Sequence, residues 1–313
     1  MDFVKDLKNL SKYNTAIIGG KGASLGKMIK ASFPIPPGFV ILADAFERFL
    51  AEIDINVEIE AMWDRINIKN IKSVEENSKI IRNLILKEKI PKDISKEILE
   101  TFSKLKTKYV AVRSSATAED SKIDSWAGEL ETYLNTTKLT LLENIKKCWA
   151  SLYTPRALFY RIERNLHRKQ ISVAVVVQKM IQSEVSGICF TVHPVTKAKN
   201  QIVVEVGWGL GEIIVGCKIT PDTYIIDKEN WSITDISISE QKLMIVGDNK
   251  GTKEIKVPKL KREKQKLNNK QIIELAKVCK KIEDHYKLPQ DIEWAVENNR
   301  IYITQSRPIT TLS

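Results

Sequence analysis

Acidic, amide and guanidinium side chains alternate with other residues in two short segments near residue 300. Asp291 and Glu293 are two residues apart in the first segment, and Gln305 and Arg307 are two residues apart in the second. Because a β-strand points successive side chains to opposite faces, each pair lies on one face of its predicted strand. Carboxylate and amide oxygens bind Mg²⁺, and a guanidinium forms paired hydrogen bonds to phosphate. The pattern therefore suits a magnesium-bound polyphosphate; the alternative is a solvated hairpin with unrelated polar groups.

The turn at residues 297–300 decides whether the two pairs meet. A loop of two or four residues would pair odd-numbered residues with even-numbered ones, which places Glu293 and Gln305 on opposite faces. A three-residue loop with an asparagine in the left-handed conformation instead pairs residue 296 with 300, 293 with 303 and 291 with 305. We expect the three-residue loop, because it brings all four polar groups onto one surface.

A glycine-rich segment, Gly19–Gly26, follows a predicted strand at Ala16–Ile18 and opens a predicted helix at Gly22–Ala31. Glycines let a phosphate approach the backbone, and a helix N-terminus supplies N–H groups and a positive dipole end. Lys21 adds a positive charge. The spacing is not that of a Walker A loop. A plain strand-to-helix turn is the alternative interpretation.

Arg113 stands at the end of a buried-type strand, after Val110–Val112. An arginine in that place is costly to bury without a partner, so we expect it to meet an anion, and a structural salt bridge is the alternative. The following stretch, Thr117–Thr132, is rich in small and polar residues and is predicted to be a flap that closes on a ligand. Gly128 would let backbone N–H groups reach phosphate oxygens, and Thr132 would add a hydroxyl.

An apolar run, Val173–Val177, turns polar at Gln178 and ends at Met180. An adenine site needs apolar walls and a few backbone donors and acceptors, so this edge is a candidate for one. A central strand of the core is the alternative. A second glycine-rich segment, Gly207–Gly211, has the spacing of a tight turn rather than of a dinucleotide fingerprint.

The bulk composition is that of a globular protein, with 43% hydrophobic and 28% charged residues among 313. No secretory signal, membrane-spanning apolar run or metal-ligand spacing of the four cysteines is found in the sequence, so we expect a cytoplasmic protein with no membrane partner. The net charge of +11 comes mostly from lysines, many of them within Lys250–Lys270. That stretch is interpreted as a solvated connector; a nucleic-acid partner is a less favoured reading, and an anionic substrate would also account for the charge.

Short β-branched runs alternate with helical patterns, which is typical of an α/β (α+β) protein. We expect an N-terminal lobe with a helical insert at residues 1–175 and a C-terminal lobe carrying the hairpin at residues 176–313. The predicted strands are Ala16–Ile18, Gly38–Leu42, Tyr109–Arg113, Ser172–Met180, Gly187–Thr191, Gln201–Val206, Asp222–Asp227, Asp291–Val296 and Ile301–Gln305. The predicted helices are Gly22–Ala31, Ala43–Glu52, Ile71–Lys87, Pro91–Lys106, Lys138–Ser151, Thr154–Arg164 and Asn269–Tyr286.

The order of these segments resembles the ATP-binding region of the phosphoenolpyruvate synthase / pyruvate, phosphate dikinase family. The similarity runs from about Tyr13 to Thr310, nearly the whole chain. Similar regions occur in rifampicin phosphotransferase and in the ATP subunit of phenylphosphate synthase. The segments that carry the resemblance are Gly-Gly-Lys-Gly-Ala-Ser-Leu-Gly, Ala-Val-Arg-Ser-Ser-Ala-Thr-Ala-Glu-Asp, Ala-Gly-Glu-Leu-Glu-Thr, Val-Val-Val-Gln-Lys-Met, Gly-Trp-Gly-Leu-Gly-Glu, Asp-Ile-Glu-Trp-Ala and Gln-Ser-Arg-Pro.

The resemblance implies an ATP-grasp fold with the nucleotide between two lobes. Lys21 and Arg113 would contact the ATP phosphates, and Arg307 would clamp the transferred phosphoryl group. In such chemistry the protein positions groups in line and neutralises developing charge. The other implied positions are Gly128 and Thr132 in the covering loop, Gln178 and Met180 at the adenine edge, and Asp291 beside the Mg²⁺ ligands Glu293 and Gln305.

Members of this family pass the phosphoryl group through a histidine on a swivelling domain, within a Gly-Gly-x-Thr-x-His-type motif. The three histidines here, His167, His193 and His285, are not in that setting. We therefore expect only the ATP half-reaction, in which the β-phosphoryl group passes to a histidine on a separate domain or subunit and AMP leaves. The final acceptor would be pyruvate, as in phosphoenolpyruvate synthase, or a phenol, as in phenylphosphate synthase. A non-catalytic ATP-sensing module is the alternative from another functional class.

Overall fold

The computed structural model of the protein describes residues 2–117, 120–121, 124–125, 131–167, 169 and 171–309. Helices and antiparallel sheets are mixed along the chain, which confirms the expected mixed α/β class. The chain forms two compact units. The first unit consists of Met1–Lys27 and Pro37–Met180, and the second consists of Met28–Pro36 and Ile181–Ser313.

The first unit is built on a five-stranded sheet and a short two-stranded one. Its strands are β1 (Val4–Asp6), β2 (Gly38–Ile41), β3 (Val110–Ala116), β4 (Asp120–Ser121), β5 (Asp124–Ser125), β6 (Thr132–Thr136) and β7 (Val173–Lys179). Its helices are α1 (Thr15–Lys30, whose last residues belong to the second unit), α2 (Ala43–Glu52), α3 (Asn56–Trp63), α4 (Ile71–Lys87), α5 (Lys92–Lys104), α6 (Leu141–Ala150) and α7 (Pro155–Glu163).

The five-stranded sheet has the order β1-β2-β7-β3-β6, with every pair antiparallel. Val173–Val177 of β7 are completely buried at its centre, as the continuous apolar run indicates. One face of the sheet packs on helices α2 and α6, where the ring of Trp149 stacks on Phe46 and Phe49 at centroid distances of 5.5 and 5.1 Å. Alternate residues of β3, Arg113 and Ser115 among them, lie on the opposite face.

The second unit contains a six-stranded antiparallel sheet of order β11-β10-β9-β8-β14-β15 and a separate hairpin, β12–β13. Its strands are β8 (Val185–Phe190), β9 (Gln201–Trp208), β10 (Asp222–Asp227), β11 (Ile233–Ser237), β12 (Leu243–Asp248), β13 (Gly251–Lys256), β14 (Gln290–Glu297) and β15 (Arg300–Pro308). Its helices are α8 (Glu212–Val215) and α9 (Asn269–Tyr286).

Helix α9 covers one face of the six-stranded sheet. It begins with a capping box, in which Asn268 accepts from the N–H of Gln271 and the Gln271 side chain accepts from the N–H of Asn268. Ile292 and Trp294 of β14 are buried, and the residues between them face the other way. The acidic side chains of β14 therefore lie on the face that α9 leaves uncovered.

The prediction of a strand at Ala16–Ile18 is wrong. The segment Ala16–Ile18 is the start of helix α1 rather than a strand, and the glycines that follow mark a kink inside that helix. Gly19 has φ +68°, a left-handed conformation that interrupts the helical path without ending it. Three apolar residues are too short a pattern to separate a strand from a helical turn.

The lysine-rich stretch Lys250–Lys270 is not a uniform connector. Its first part is strand β13, which pairs with β12. Lysine has a low strand propensity, and pairing with the neighbouring strand compensates for it. Further along, the side chain of Lys266 is completely buried, and its Nζ lies 2.7 Å from Oδ1 of Asp222. Within the described residues, no helix is both long and apolar enough to cross a membrane.

Candidate functional site

The hairpin of β14 and β15 turns through two residues, because Glu297 pairs directly with Arg300. Asn298 and Asn299 both have positive φ, at 51° and 58°, which is the geometry of a type I′ turn. The prediction of a three-residue loop is therefore wrong. Asparagine tolerates the left-handed region, so two consecutive asparagines close the tighter turn.

A β-bulge at Thr304 reverses the effect that this turn would have on the strand faces. Beyond the bulge, Glu293 lies opposite Gln305, and Asp291 lies opposite Arg307. One extra residue in β15 shifts the pairing by one, so odd-numbered residues again oppose odd-numbered ones. The four polar side chains share one face, as their alternation predicts, but through a two-residue turn and a bulge.

Contacts within this face are already formed. The guanidinium of Arg307 donates from Nε and Nη2 to Oδ2 of Asp291, at 2.8 and 2.7 Å. The amide nitrogen of Gln305 donates to Oε1 of Glu293 at 3.0 Å. For a cation to bind between Glu293 and Gln305, the amide must turn its oxygen towards the carboxylate, a rotation of one terminal torsion.

A third acid, Glu205 on β9, lies on the same face. Glu205 is paired with Ile188 of β8, and Ile188 is paired with Glu293 of β14, so the three residues form a row across the sheet. Burial raises the pKa of Asp291, an effect that Arg307 opposes. Burial and the nearby Asp291 likewise raise the pKa of Glu205. The face concentrates negative charge in a partly desolvated place, which favours a bound cation.

Sequence reasoning missed Glu205, although a signal was present. It is the one acid in the apolar strand segment Ile202–Val206, and a lone acid there must reach solvent, a partner or a ligand. Among the described residues, no three acids, histidines or cysteines are grouped closely enough to hold a metal ion. A divalent cation at Glu293 and Gln305 would therefore need further oxygen ligands from the polyphosphate itself.

In the first unit, the position of Lys21 depends on a close approach between α1 and β3. The hydroxyl of Ser115 donates to the carbonyl of Ile18 at 3.2 Å and accepts from the N–H of Gly22 at 3.3 Å. A Cβ on Gly19 would lie 2.2 Å from both the carbonyl oxygen and Oγ of Ser115. Gly19 therefore has two reasons to be glycine, its positive φ and this contact, and together they hold the kinked turn that bears half-buried Lys21 against the sheet.

Arg113, Thr132 and Gln178 share one face of the first unit's sheet. Arg113 pairs with Thr132 of β6, while Gln178 pairs with Ala111, two residues before Arg113 on β3. This is also the face on which Ser115 binds α1. Arg113 is 8% exposed and Gln178 is 2% exposed, whereas Thr132 is open to solvent. The sheet thus places three candidate residues, from three different strands, on one of its faces.

Met180 ends the first unit and is buried, with its N–H bonded to the carbonyl of Tyr109 at 3.1 Å. Its role at an adenine edge, like that of Gln178, stays a prediction. Gly128 lies outside the described residues, as does most of the glycine-bearing part of the predicted flap. Thr132, at the end of that segment, is described.

Comparison with protein families assigns the chain. Residues 15–313 match the family described as pyruvate phosphate dikinase, AMP/ATP-binding domain. The chain belongs to this family. The match covers every segment on which the resemblance was based, from the glycine-rich turn at Gly19 to the strand that ends at Pro308.

Curated relatives extend this result. The chain is 42% identical over 312 residues to the probable phosphoenolpyruvate synthase of Archaeoglobus fulgidus, with 98% of this chain and 41% of the relative covered. It is 41% identical over 320 residues to that of Methanocaldococcus jannaschii, covering 100% of this chain and 27% of the relative. For Pyrococcus horikoshii the identity is 39% over 358 residues, covering 99% and 44%. The chain spans less than half the length of each of these relatives.

Proposed function

We propose that this chain has an ATP-grasp fold and is the ATP-handling half of a dikinase-type phosphotransferase. The observation that carries the proposal is the face of the β14–β15 hairpin, where Gln305 is hydrogen-bonded to Glu293 beside the Asp291–Arg307 ion pair. Membership of an AMP/ATP-binding family supports ATP as the ligand, and the names of the relatives support phosphotransfer as the reaction class.

Each candidate residue has a proposed role in binding the nucleotide. Glu293 and Gln305 would hold Mg²⁺ together with phosphate oxygens, and the metal would offset the charge of the polyphosphate. Arg307, held by Asp291, would grip the transferred group through its planar fork. Lys21 and Arg113 would neutralise charge on the phosphates, and the remaining candidates, Gly128, Thr132, Gln178 and Met180, would cover the phosphates or border the adenine.

The reaction we propose breaks the bond between the α- and β-phosphates. A histidine nitrogen attacks the β-phosphorus, AMP leaves, and the histidine carries the β- and γ-phosphates together as a pyrophosphoryl group. None of the three histidines of this chain lies in the phosphotransfer motif of the family, so the acceptor histidine would belong to a separate domain or subunit. The relatives extend well beyond the matched region and are named phosphoenolpyruvate synthases. Pyruvate is accordingly the final acceptor that we propose.

Calorimetric titration of the chain with ATP, with and without Mg²⁺, tests this function. We expect magnesium-dependent binding that Glu293→Gln weakens by at least about 10-fold, because a charged metal ligand is lost and even residues that only support a ligand contribute that much. Glu229→Gln, which removes an exposed acid elsewhere in the second unit, should bind as the wild type does. Absence of magnesium-dependent ATP binding by the wild-type chain would refute the proposal. Binding without AMP release, when a histidine-bearing domain of a relative is supplied, would indicate an ATP sensor instead.

A further inference from the structure

Glu131, the residue before Thr132, is held by side chains from two different elements. Its Oε1 accepts a hydrogen bond from Nη2 of Arg82 on α4 at 2.9 Å, and its Oε2 accepts one from the hydroxyl of Tyr133 on β6. The side chains of Arg82 and Glu131 are 25% and 30% exposed, so water screens their ion pair only in part. Both oxygens of the carboxylate are therefore occupied, and its rotamer is set.

The main chain of Glu131 is held as well, by the strand that carries Arg113. Its carbonyl oxygen accepts from the N–H of Ser114 at 3.2 Å and from the Ser114 hydroxyl at 2.7 Å. The next residue, Thr132, is the register partner of Arg113. Any movement of Glu131 would therefore move Thr132 relative to Arg113, since one peptide bond joins Glu131 to Thr132.

Arg82 lies on a well-packed helix, and Tyr133 keeps its proton. Helix α4 buries Ile81 and Ile85, on either side of Arg82, and the hydroxyl of Ser78 on the same helix donates to the carbonyl of Tyr153 at 2.6 Å. Burial and the bond to Glu131 raise the pKa of Tyr133, so its hydroxyl stays protonated and keeps donating. The contact with the packed helix α4 thus helps to fix the position of Glu131, and with it that of Thr132.

We propose that Arg82 is a positioning residue for nucleotide binding, acting through Glu131 on Thr132. This inference rests on the proposed function, because it assigns to helix α4 the alignment of Thr132 with Arg113. Helix α4 then has a role beyond packing in the core. Through one ion pair, α4 sets the entry of β6 and so the phosphate contact that Thr132 would make.

Replacing Arg82 by Ala, with Arg48→Ala as the matched control, tests the inference. Arg48 also lies on a helix of this region and forms two ion pairs, with Glu52 and Asp93 at 2.8 and 2.7 Å, but it does not contact Glu131. We expect Arg82→Ala to weaken Mg·ATP binding about tenfold, as for the loss of a hydrogen bond to a charged group, and Arg48→Ala to leave it within about twofold. Arg82→Lys should recover only part of the loss, because lysine keeps the positive charge but lacks the planar guanidinium.

Hydrogen exchange separates positioning from general stability and needs no nucleotide. We expect Arg82→Ala to speed amide exchange in β6, at Tyr133–Thr136, while the exchange of β7 stays unchanged. In a double-mutant cycle, Arg82→Ala should add little to the effect of Glu131→Gln on either measurement.

Uniform acceleration across the first unit would show that Arg82 merely stabilises the fold, and would overturn the inference. Wild-type affinity in Arg82→Ala, measured beside a wild-type chain that does bind Mg·ATP, would overturn it too and would leave the proposed function standing. If the wild-type chain fails to bind, the proposed function fails by itself, and unchanged β6 exchange in Arg82→Ala would then reject the positioning role independently.

Discussion

The two units hold their candidate residues in different ways. In the second unit, strand register alone places Asp291, Glu293, Gln305 and Arg307 on one face, and direct contacts between strand partners fix them. In the first unit, each candidate depends on contacts between elements distant in sequence. Lys21 is placed by the contact of a kinked helix with Ser115, 94 residues further along the chain.

This difference shows where local sequence pattern is sufficient. A face made by alternation survives small changes in its surroundings, because every residue is fixed by its strand neighbours. A face assembled from a kink, a strand end and an ion pair depends on each of those long-range contacts. Substitutions in the second unit should therefore change function with little effect on stability, and substitutions in the first should change both.

The largest effect is expected from Arg307→Ala. The side chain of Arg307 is 48% exposed, so its loss should leave the fold intact while removing the guanidinium that we propose binds the transferred group. We expect the rate of ATP-dependent phosphorylation of a histidine domain to fall by about 10²- to 10³-fold. Arg300→Ala, an exposed arginine at the turn end of the same strand, is the control and should keep the wild-type rate. Equal rates for the wild type and Arg307→Ala would remove the hairpin from the mechanism.

Unlike Arg307→Ala, Gly19→Ala should lower the stability of the fold as well as nucleotide binding. The new Cβ would meet the backbone of Ser115 at 2.2 Å in a residue whose φ is +68°. We expect a loss of at least about 2 kcal/mol in the free energy of unfolding, measured by denaturant titration. Gly211→Ala, where the nearest atom to the new Cβ is 3.7 Å away, should change it by less than about 1 kcal/mol. Similar losses in the two variants would show that close approach is not the reason for glycine at position 19.

Ser115→Ala separates the space at this contact from its hydrogen bonds. The substitution keeps the fit of Gly19 but removes the hydroxyl that bonds Ile18 and Gly22 in a buried place. We expect a loss of about 1–3 kcal/mol in the free energy of unfolding, by the cost of leaving buried polar groups unbonded. Ser103→Ala, whose exposed hydroxyl bonds a carbonyl of its own helix, is the control and should be nearly neutral. A neutral Ser115→Ala would assign the contact to packing alone.

The smallest effect is expected from Glu205→Gln, and it should depend on pH. Burial and Asp291 raise the pKa of Glu205 in the folded chain, so the folded state binds this proton more tightly than the unfolded state does. Stability from this group is present below its unfolded pKa and is lost as pH rises through the raised folded value. Denaturant titrations at a series of pH values should therefore show the variant gaining free energy of unfolding relative to the wild type as the pH rises above about 4.3, the unfolded value for glutamate. The gain should stay below about 1 kcal/mol because the site is partly solvated. A difference that does not vary with pH would mean that the charge of Glu205 is not the cause.

Much of this architecture could be predicted from the sequence, and the failures have identifiable causes. Alternation placed the polar face of the hairpin, but neither the tight turn at Asn298 nor the bulge at Thr304 leaves a periodic signal. The two-residue turn pairs odd-numbered residues with even-numbered ones, and the bulge reverses this. The predicted face is therefore right although the predicted register is wrong. The kink at Gly19 and the ion pair between Arg82 and Glu131 could not be predicted, because both depend on residues far apart in the sequence.

The path of the chain has a practical consequence for anyone dividing this protein into parts. Residues Met28–Pro36 belong to the second unit, although the chain on both sides of them belongs to the first. Within that segment, the carbonyl of Pro34 accepts from the N–H of Ile303 at 2.9 Å, on the outermost strand of the six-stranded sheet. A fragment cut between the units at residue 180 would remove this hydrogen-bond partner from the edge strand β15, and unpaired backbone groups on an edge strand favour self-association. The second unit is therefore best expressed with the peptide of residues 28–36 fused to it, so that the edge is capped.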